Sequence, residues 1–367
     1  MNATQRGLIM QRWAVVQHEL IADLKDEVGP LTPKLEKLIH VLEWTRIEEF
    51  VGNSWRGIGR PPRDRGALAN AFVAKSVLGL TQTSALIERL KMDRALRRIC
   101  GFARWQALPD EATFSRAFAE FAKTKLADRV HEALVKEHLG ATLIGHISRD
   151  GTAIESREKP VIKTKETAPV KAAKRGRPKK GEVREAKTGK VEKQLTQPLA
   201  QILAELPSAC DRGSKCNSQG YQQSWNGYKL HIDTADCGVP ISALLTSASA
   251  HDSLTAIPLG LITAGRVTNC YDLMDAAYCS EAIRAHSRSL GHVPLIDHNP
   301  RGGEKIPFAP HEQVRYKERS QAERSNARLK DEFGGKHIWV RGPVKVMSHL
   351  MFGLLVLTVD QLMRLLV

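Results

Sequence analysis

Little in this chain of 367 residues suits a soft metal, a secretory route or a membrane. Its six cysteines, at positions 100, 210, 216, 237, 270 and 279, form no Cys-x-x-Cys pair and meet no paired histidine spacing. That pattern argues against a zinc site and fits reduced thiols in a cytoplasmic protein. The stretch Met1 to Gln11 has only Leu8-Ile9-Met10 as an apolar run, which does not read as a signal peptide. The longest apolar run, Leu350 to Val359, would cover about half of a bilayer core, so a buried helix is expected there and no membrane partner. Acids are in deficit as well: 40 Asp and Glu stand against 55 Lys and Arg, for a formal charge of +15. Such a balance points to a polyanionic partner, with nucleic acid ahead of an anionic membrane surface.

The emptiest segment runs from Ser156 to Lys193, which contains no Leu, Met, Phe, Tyr, Trp or Cys and so cannot build a core. It holds 14 Lys and Arg against 5 Glu, or +9 of the chain's +15. A basic, largely disordered insert is therefore expected over residues 156–220, making non-specific phosphate contacts. Within it, Lys174-Arg175-Gly176-Arg177-Pro178-Lys179-Lys180 resembles an AT-hook. Pro and Gly would hold that segment extended while Arg175 and Arg177 enter a narrow A·T-rich minor groove. Gly59-Arg60-Pro61-Pro62 is a weaker version of the same text, and a solvated basic linker is the plain alternative for both.

Periodicity organises the remainder. From Ile39 to about Leu139 apolar residues recur at three and four, which predicts a helical N-terminal domain, residues 1–139. Its short helices and tight turns suggest a helix-turn-helix-like bundle for DNA-end binding or dimerisation, with a plain helical packing domain as the alternative. Leu68, Phe72, Val73, Val77 and Leu80 make one stripe closed by Gly79. Thr81 or Thr83 is expected to cap the next helix, and Asp110 to cap a long helix through Phe114, Phe118, Phe121 and Leu126. Thr142 to Arg149 then reads as a strand, within 140–155, that delivers Asp150 to a turn at Gly151-Thr152. After the insert, Tyr228–Thr234 and Pro240–Thr246 form a hairpin, a helix spans about Ser253 to Ala264, and a strand, Val267–Met274, ends in Asp275. A further strand at Pro294 and two final helices complete residues 221–367. The expected class is α/β, with a mixed sheet flanked by helices. Asp150 and Asp275 would lie at neighbouring strand positions and Glu323 on a helix beside them.

That helix carries the densest chemistry. At 100° per residue from Arg319, Lys330 lies near 20°, Glu323 near 40° and Tyr316 near 60°. One strip thus combines a carboxylate, two cations and a phenol, which suits phosphoryl transfer on a polyanion: cations and phenol for phosphates, carboxylates for a metal. Glu318 and Glu332 fall near 260° and 220° and point away from it.

The spacing Tyr316-x2-Arg319-x3-Glu323-x6-Lys330 resembles the Tyr-Arg-Glu-Lys signature of prokaryotic insertion-sequence transposases of the DDE class. Asp150-Gly-Thr is similar to the context of that family's first acid, and Asp275-Ala-Ala-Tyr278 to that of its second. Trp225-Asn-Gly-Tyr-Lys-Leu-His231, His251-Asp252-Ser253 and Leu108 to Phe114 also resemble family text. The likeness covers most of residues 40 to 360; the long basic insert departs from it.

The resemblance implies an RNase H-like catalytic core in which Asp150, Asp275 and Glu323 bind two Mg²⁺ ions, with Mn²⁺ as a substitute. Asp150 would bridge both ions. Tyr316, Arg319 and Lys330 would position DNA phosphates, with Arg suited to bidentate contact. It further implies nicking of the element's ends, joining of the exposed 3′-hydroxyl to target DNA, and a homodimer on double-stranded DNA associated with the nucleoid. Two alternatives share the fold: an inactive relative that regulates by binding DNA, and an RNase H-like nuclease without strand joining.

Overall fold

The N-terminal helices start where short polar side chains can cap them. The computed structural model describes residues 7, 10, 11, 13–52, 63–103, 105–161, 189–216, 219–301 and 303–365. Its first regular α-helices are α1 (Ile21–Val28), α2 (Pro33–Thr45), α3 (Arg65–Val77), α4 (Thr83–Met92), α5 (Arg94–Ile99), α6 (Glu111–Lys123) and α7 (Leu126–Leu139). Asp110 caps α6 by accepting from the Thr113 amide at 2.9 Å. Helix α4 differs from expectation: its N-cap is Gln82, Thr83 is already helical, and no side chain caps the turn. The long helix expected through Leu126 is in fact two, because Lys125 adopts a left-handed conformation (φ +50°) and the Thr124 hydroxyl donates back to the Glu120 carbonyl at 3.0 Å.

Strand β1 (Leu143–Glu155) follows. Beyond the tract at 162–188 come α8 (Lys190–Gln194), α9 (Leu199–Glu205), β2 (Asp211–Cys216), β3 (Gln222–Ala235), β4 (Pro240–Ser247), α10 (Ser253–Ala264), β5 (Thr268–Met274), α11 (Glu281–Ser289), β6 (Val293–Ile296), α12 (Pro310–Tyr316), α13 (Ser320–Glu332) and α14 (Pro343–Arg364). Among the described residues six strands form one sheet in the order β2-β3-β1-β5-β6, with β4 also on β3. The β1–β3, β2–β3 and β3–β4 pairs are antiparallel, and β1–β5 and β5–β6 are parallel. Helices flank this mixed sheet, an arrangement consistent with an RNase H-like architecture.

Two boundaries move. The insert expected over 156–220 is too long, because residues 189–216 supply α8, α9 and the edge strand β2; Ile202, on α9, is buried. Nor do Gly151 and Thr152 turn the chain, since β1 runs straight through them to Glu155 against β3. Gly151 serves close approach instead: a Cβ there would stand 3.0 Å from His231 Nδ1.

Helices α2 to α7 close no core of their own. Leu38, Leu68, Phe114 and Val130 belong to the same hydrophobic cluster as Ile147, Ile232 and Leu355, so the N-terminal helices and the sheet share one interior. Helix α14 is its axis, packing against α2, α3, α6, α7, α13 and β4. It is long and apolar enough to cross a membrane by length and composition, yet Leu354, Leu355, Val356 and Leu357 are fully buried inside the fold.

Beside Asp150, Arg149 points into the interior. Its guanidinium forks onto Asp233 of β3 at 2.7 and 2.6 Å, and donates to the Ala256 carbonyl of α10 at 2.9 Å. Thr263 adds a third hydrogen bond to Asp233 at 2.6 Å, so this fully buried pair is well satisfied. Arg149→Met is expected to cost about 3–5 kcal/mol in urea unfolding, because it strands a buried carboxylate, and Arg149→Met with Asp233→Leu should recover much of the loss. A single-variant loss below roughly 1 kcal/mol would show that the pair does not hold the sheet.

Candidate active site

Strand register brings the first two acids together. Ser148 of β1 pairs with Leu273 of β5, so Asp150, two residues on, and Asp275, just past the end of β5, lie side by side. Asp275 accepts from the Ala277 amide at 2.9 Å, which fixes the turn leaving the strand.

The third acid arrives on α13. The chain enters that helix through α12 and a 3-10 turn, Lys317–Arg319, rather than through the single α-helix assumed from spacing. At three residues per turn Tyr316 and Arg319 eclipse, so the strip tightens at this end. Two hydrogen bonds dock the turn on the sheet: Ser148 Oγ to the Glu318 carbonyl at 3.0 Å, and Tyr316 Oη to the Met274 carbonyl at 3.1 Å.

Arg319 sits among the three carboxylates. Its guanidinium is 2.6 Å from Glu323, 3.5 Å from Asp150 and 3.8 Å from Asp275. Asn326 donates to the other oxygen of Asp150 at 3.0 Å. Burial pushes the Asp150 carboxyl up to about 6; Asp275, Glu323 and Asp252 push the same way, and the Arg319 charge opposes them. Asp275 is likewise raised by burial and drawn back by Arg319. Burial alone would lower the Arg319 guanidinium, but the Asp150 charge and the Glu323 hydrogen bond leave it above its ordinary value.

Lys330 stands apart from this group, seven helical residues or about 10 Å beyond Glu323. It lines a cleft of about 620 Å³ with Glu155, Lys215, Trp225 and Lys336. Burial lowers its ammonium, as does neighbouring Lys215. Arg175, Arg177 and Arg60 lie outside the described residues.

Three contributors were not singled out from sequence. Asn326 is one helical turn past Glu323, so its side of the helix was readable from spacing. Lys229 donates to Asp252 at 2.7 Å, and Asp252 in turn raises both Asp150 and Asp275. Lys229 lies within Trp225–His231 and Asp252 within His251–Ser253, but only the fold brings them to the acids. His231 is buried, its imidazole held down to about 4 by burial, and bonds Thr246 at 3.0 Å, which makes it a core histidine.

An all-carboxylate donor set suits a hard divalent cation and disfavours a soft one. Arg319 now supplies positive charge where such an ion would. Among the described residues no group of three or more His, Cys, Asp or Glu is arranged to hold a metal ion. The chemistry of the three carboxylates fits a hard divalent cation, while their present arrangement around Arg319 does not.

In comparisons with known proteins, a family model described as "Transposase DDE domain" matches residues 187–359. A second, "Transposase domain (DUF772)", matches residues 22–120. The first match contains Asp275, Tyr316, Arg319, Glu323 and Lys330, and neither contains Asp150. No curated protein and no solved structure matches the chain.

The raised Asp150 carboxyl gives a signed prediction. Its contribution to stability is fully present below the ordinary value of 3.8 and is lost as pH rises through about 6, because the fold prefers the neutral form. Asp150→Asn should therefore be more stable than the parent at pH 8 in chelator, by roughly 1–3 kcal/mol and with a higher melting temperature, with no gain below pH ~3.5. Equal melting at pH 8 would contradict this electrostatic picture.

Proposed function

The chain belongs to the insertion-sequence DDE transposases, and from that premise we propose that it cleaves the ends of its element and joins the freed 3′-hydroxyl to target DNA. The observation that supports this most is the single guanidinium of Arg319 reaching an oxygen of Asp150, Asp275 and Glu323. Three acids from separate parts of the chain share one focus, as phosphoryl transfer between DNA strands requires.

DDE transposases in general use divalent metal ions. We assign Asp150, Asp275 and Glu323 as the residues that would hold Mg²⁺, or Mn²⁺ in its place. When bound, the metal would lower the pKa of the attacking hydroxyl and neutralise charge on the phosphate. The remaining work belongs to the chain. Asn326 holds the Asp150 carboxylate in one orientation through its 3.0 Å bond. Arg319, once released from the acids, is free to fork onto phosphate oxygens, and Tyr316 fixes the turn that carries it. Lys330 and its cleft would hold phosphates further along the strand.

The reaction balances without ATP. In cleavage, water oxygen bonds to phosphorus and the strand's 3′-oxygen leaves with a proton. In joining, that 3′-oxygen attacks a target phosphorus and the target's own 3′-oxygen departs, so one phosphodiester replaces another. Two ends must be handled together, which favours a homodimer on DNA, acting in the cytoplasm on nucleoid DNA. Arg175 and Arg177 would add minor-groove contacts, a reading that rests on their sequence alone.

A marked mini-element built from the DNA flanking this gene should hop in cells expressing the parent chain, and Glu323→Gln should lower the frequency by at least about 100-fold, roughly 3 kcal/mol of transition-state stabilisation. Unchanged hopping in the variant would refute the site. Absence of hopping with either chain would favour the DNA-binding regulator.

A further inference from the structure

A second cavity, of about 360 Å³, opens between the N-terminal helices and the segment leading into α14. Lys75 of α3, Arg157, Arg341 and Lys345 line it, against one carboxylate, Glu111. Lys75 is only 6% exposed. Burial holds its ammonium down to about 8, with no neighbouring carboxylate among the described residues acting to raise it. The first turn of α4, ten residues long, faces the same space through Thr83 and Ser84 with no side-chain cap on its amides. Arg157 lies 5.2 Å over the Trp339 ring, which fixes one wall. A buried cation without a counter-charge beside an uncapped helix start is costly unless an anion completes it.

Its position says which anion. Gly335, Lys336 and His337 line the Lys330 cleft, and Trp339, Val340 and Arg341 line this cavity, so one short segment connects the two. Arg157 follows Asp150 by seven residues along β1 and the bridge at Ser156–Ile338, about 23 Å at strand rise. One DNA strand advances about 3.4 Å per nucleotide, so that span matches roughly seven nucleotides.

We propose that this cavity is a phosphate-binding site for the DNA backbone, in which Lys75 and the first turn of α4 clamp one phosphodiester roughly seven nucleotides from the reacting phosphate. The choice of DNA over a free phosphate rests on the transposase reading; the anion site itself does not. Because Lys75 is buried without a counter-charge, its role carries a stability cost, and removing it should strengthen the fold while weakening the binding.

The test compares the full chain with Lys75→Met in metal-free buffer. Inorganic phosphate at millimolar concentration should raise the parent's melting temperature above that in chloride of equal ionic strength, and the variant should lose that difference while melting higher overall. On a labelled duplex of about three helical turns, the variant should bind roughly tenfold more weakly at low salt, with its salt slope reduced by about one. Retention of both the phosphate effect and the slope in the variant overturns the proposal. Loss of the phosphate effect with an unchanged DNA slope overturns the DNA assignment and leaves a free-phosphate site. Should Lys75→Met fail to fold, Arg341→Gln with Lys345→Gln on the rim carries the same two readouts. Neither assay needs cleavage, so an inactive acid centre would leave these results standing.

Discussion

The fork between Arg149 and Asp233 is the constraint on which the rest depends. It joins adjacent antiparallel strands at one cross-strand pair and ties both to α10 through the Ala256 carbonyl. Because side chains alternate along a strand, fixing Arg149 inward fixes Asp150 on the opposite face. A slip of one residue would carry Asp150 onto the face of Arg149 and strand the Asp233 carboxylate, and the fully satisfied fork makes that slip expensive. The placing of Asp150 beside Asp275 and Glu323 is thus set by a buried pair on the other face of the strand.

On the outer face the electrostatics run against the chain as a whole. A protein of formal charge +15 concentrates Asp150, Asp275, Glu323 and Asp252 at the centre of its sheet. Arg319 and Lys229 partly compensate, yet Asp150 is still pushed up to about 6. This local negative focus is unfavourable alone and becomes favourable when cations arrive. Basic surface on either side, from Lys215, Lys330 and Lys336 to Arg157 and Arg341, suits the DNA that would deliver phosphates to it. Asp150 and Lys75 are thus both pushed by burial towards their neutral forms.

Much of this was legible from residues alone. Helical spacing grouped Tyr316, Arg319 and Glu323, and the order of strands anticipated Asp150 beside Asp275. Local patterns misled where tertiary contacts decide. Gly151-Thr152 reads as a turn, but β3 is long enough to hold β1 straight, with glycine chosen for the approach of His231. The break at Lys125 has no Gly or Pro to announce it. Lys330 shares a wheel angle with Arg319, and a wheel has no axial coordinate, so its distance from the acids was invisible. The common core of N-terminal helices and sheet depends on α14, whose partners lie hundreds of residues earlier. A buried Arg149–Asp233 pair, 84 residues apart, leaves no periodic trace.

The most direct measurement is the structure of the DNA joints made by the purified chain. Incubated with Mg²⁺, a duplex carrying the element's ends and a target plasmid, it should yield products in which the element's 3′-oxygen is bonded to target phosphorus, with none formed in chelator. Nicked ends without joints would contradict the transposase account and leave a nuclease; joints formed equally in chelator would contradict the role assigned to Asp150, Asp275 and Glu323.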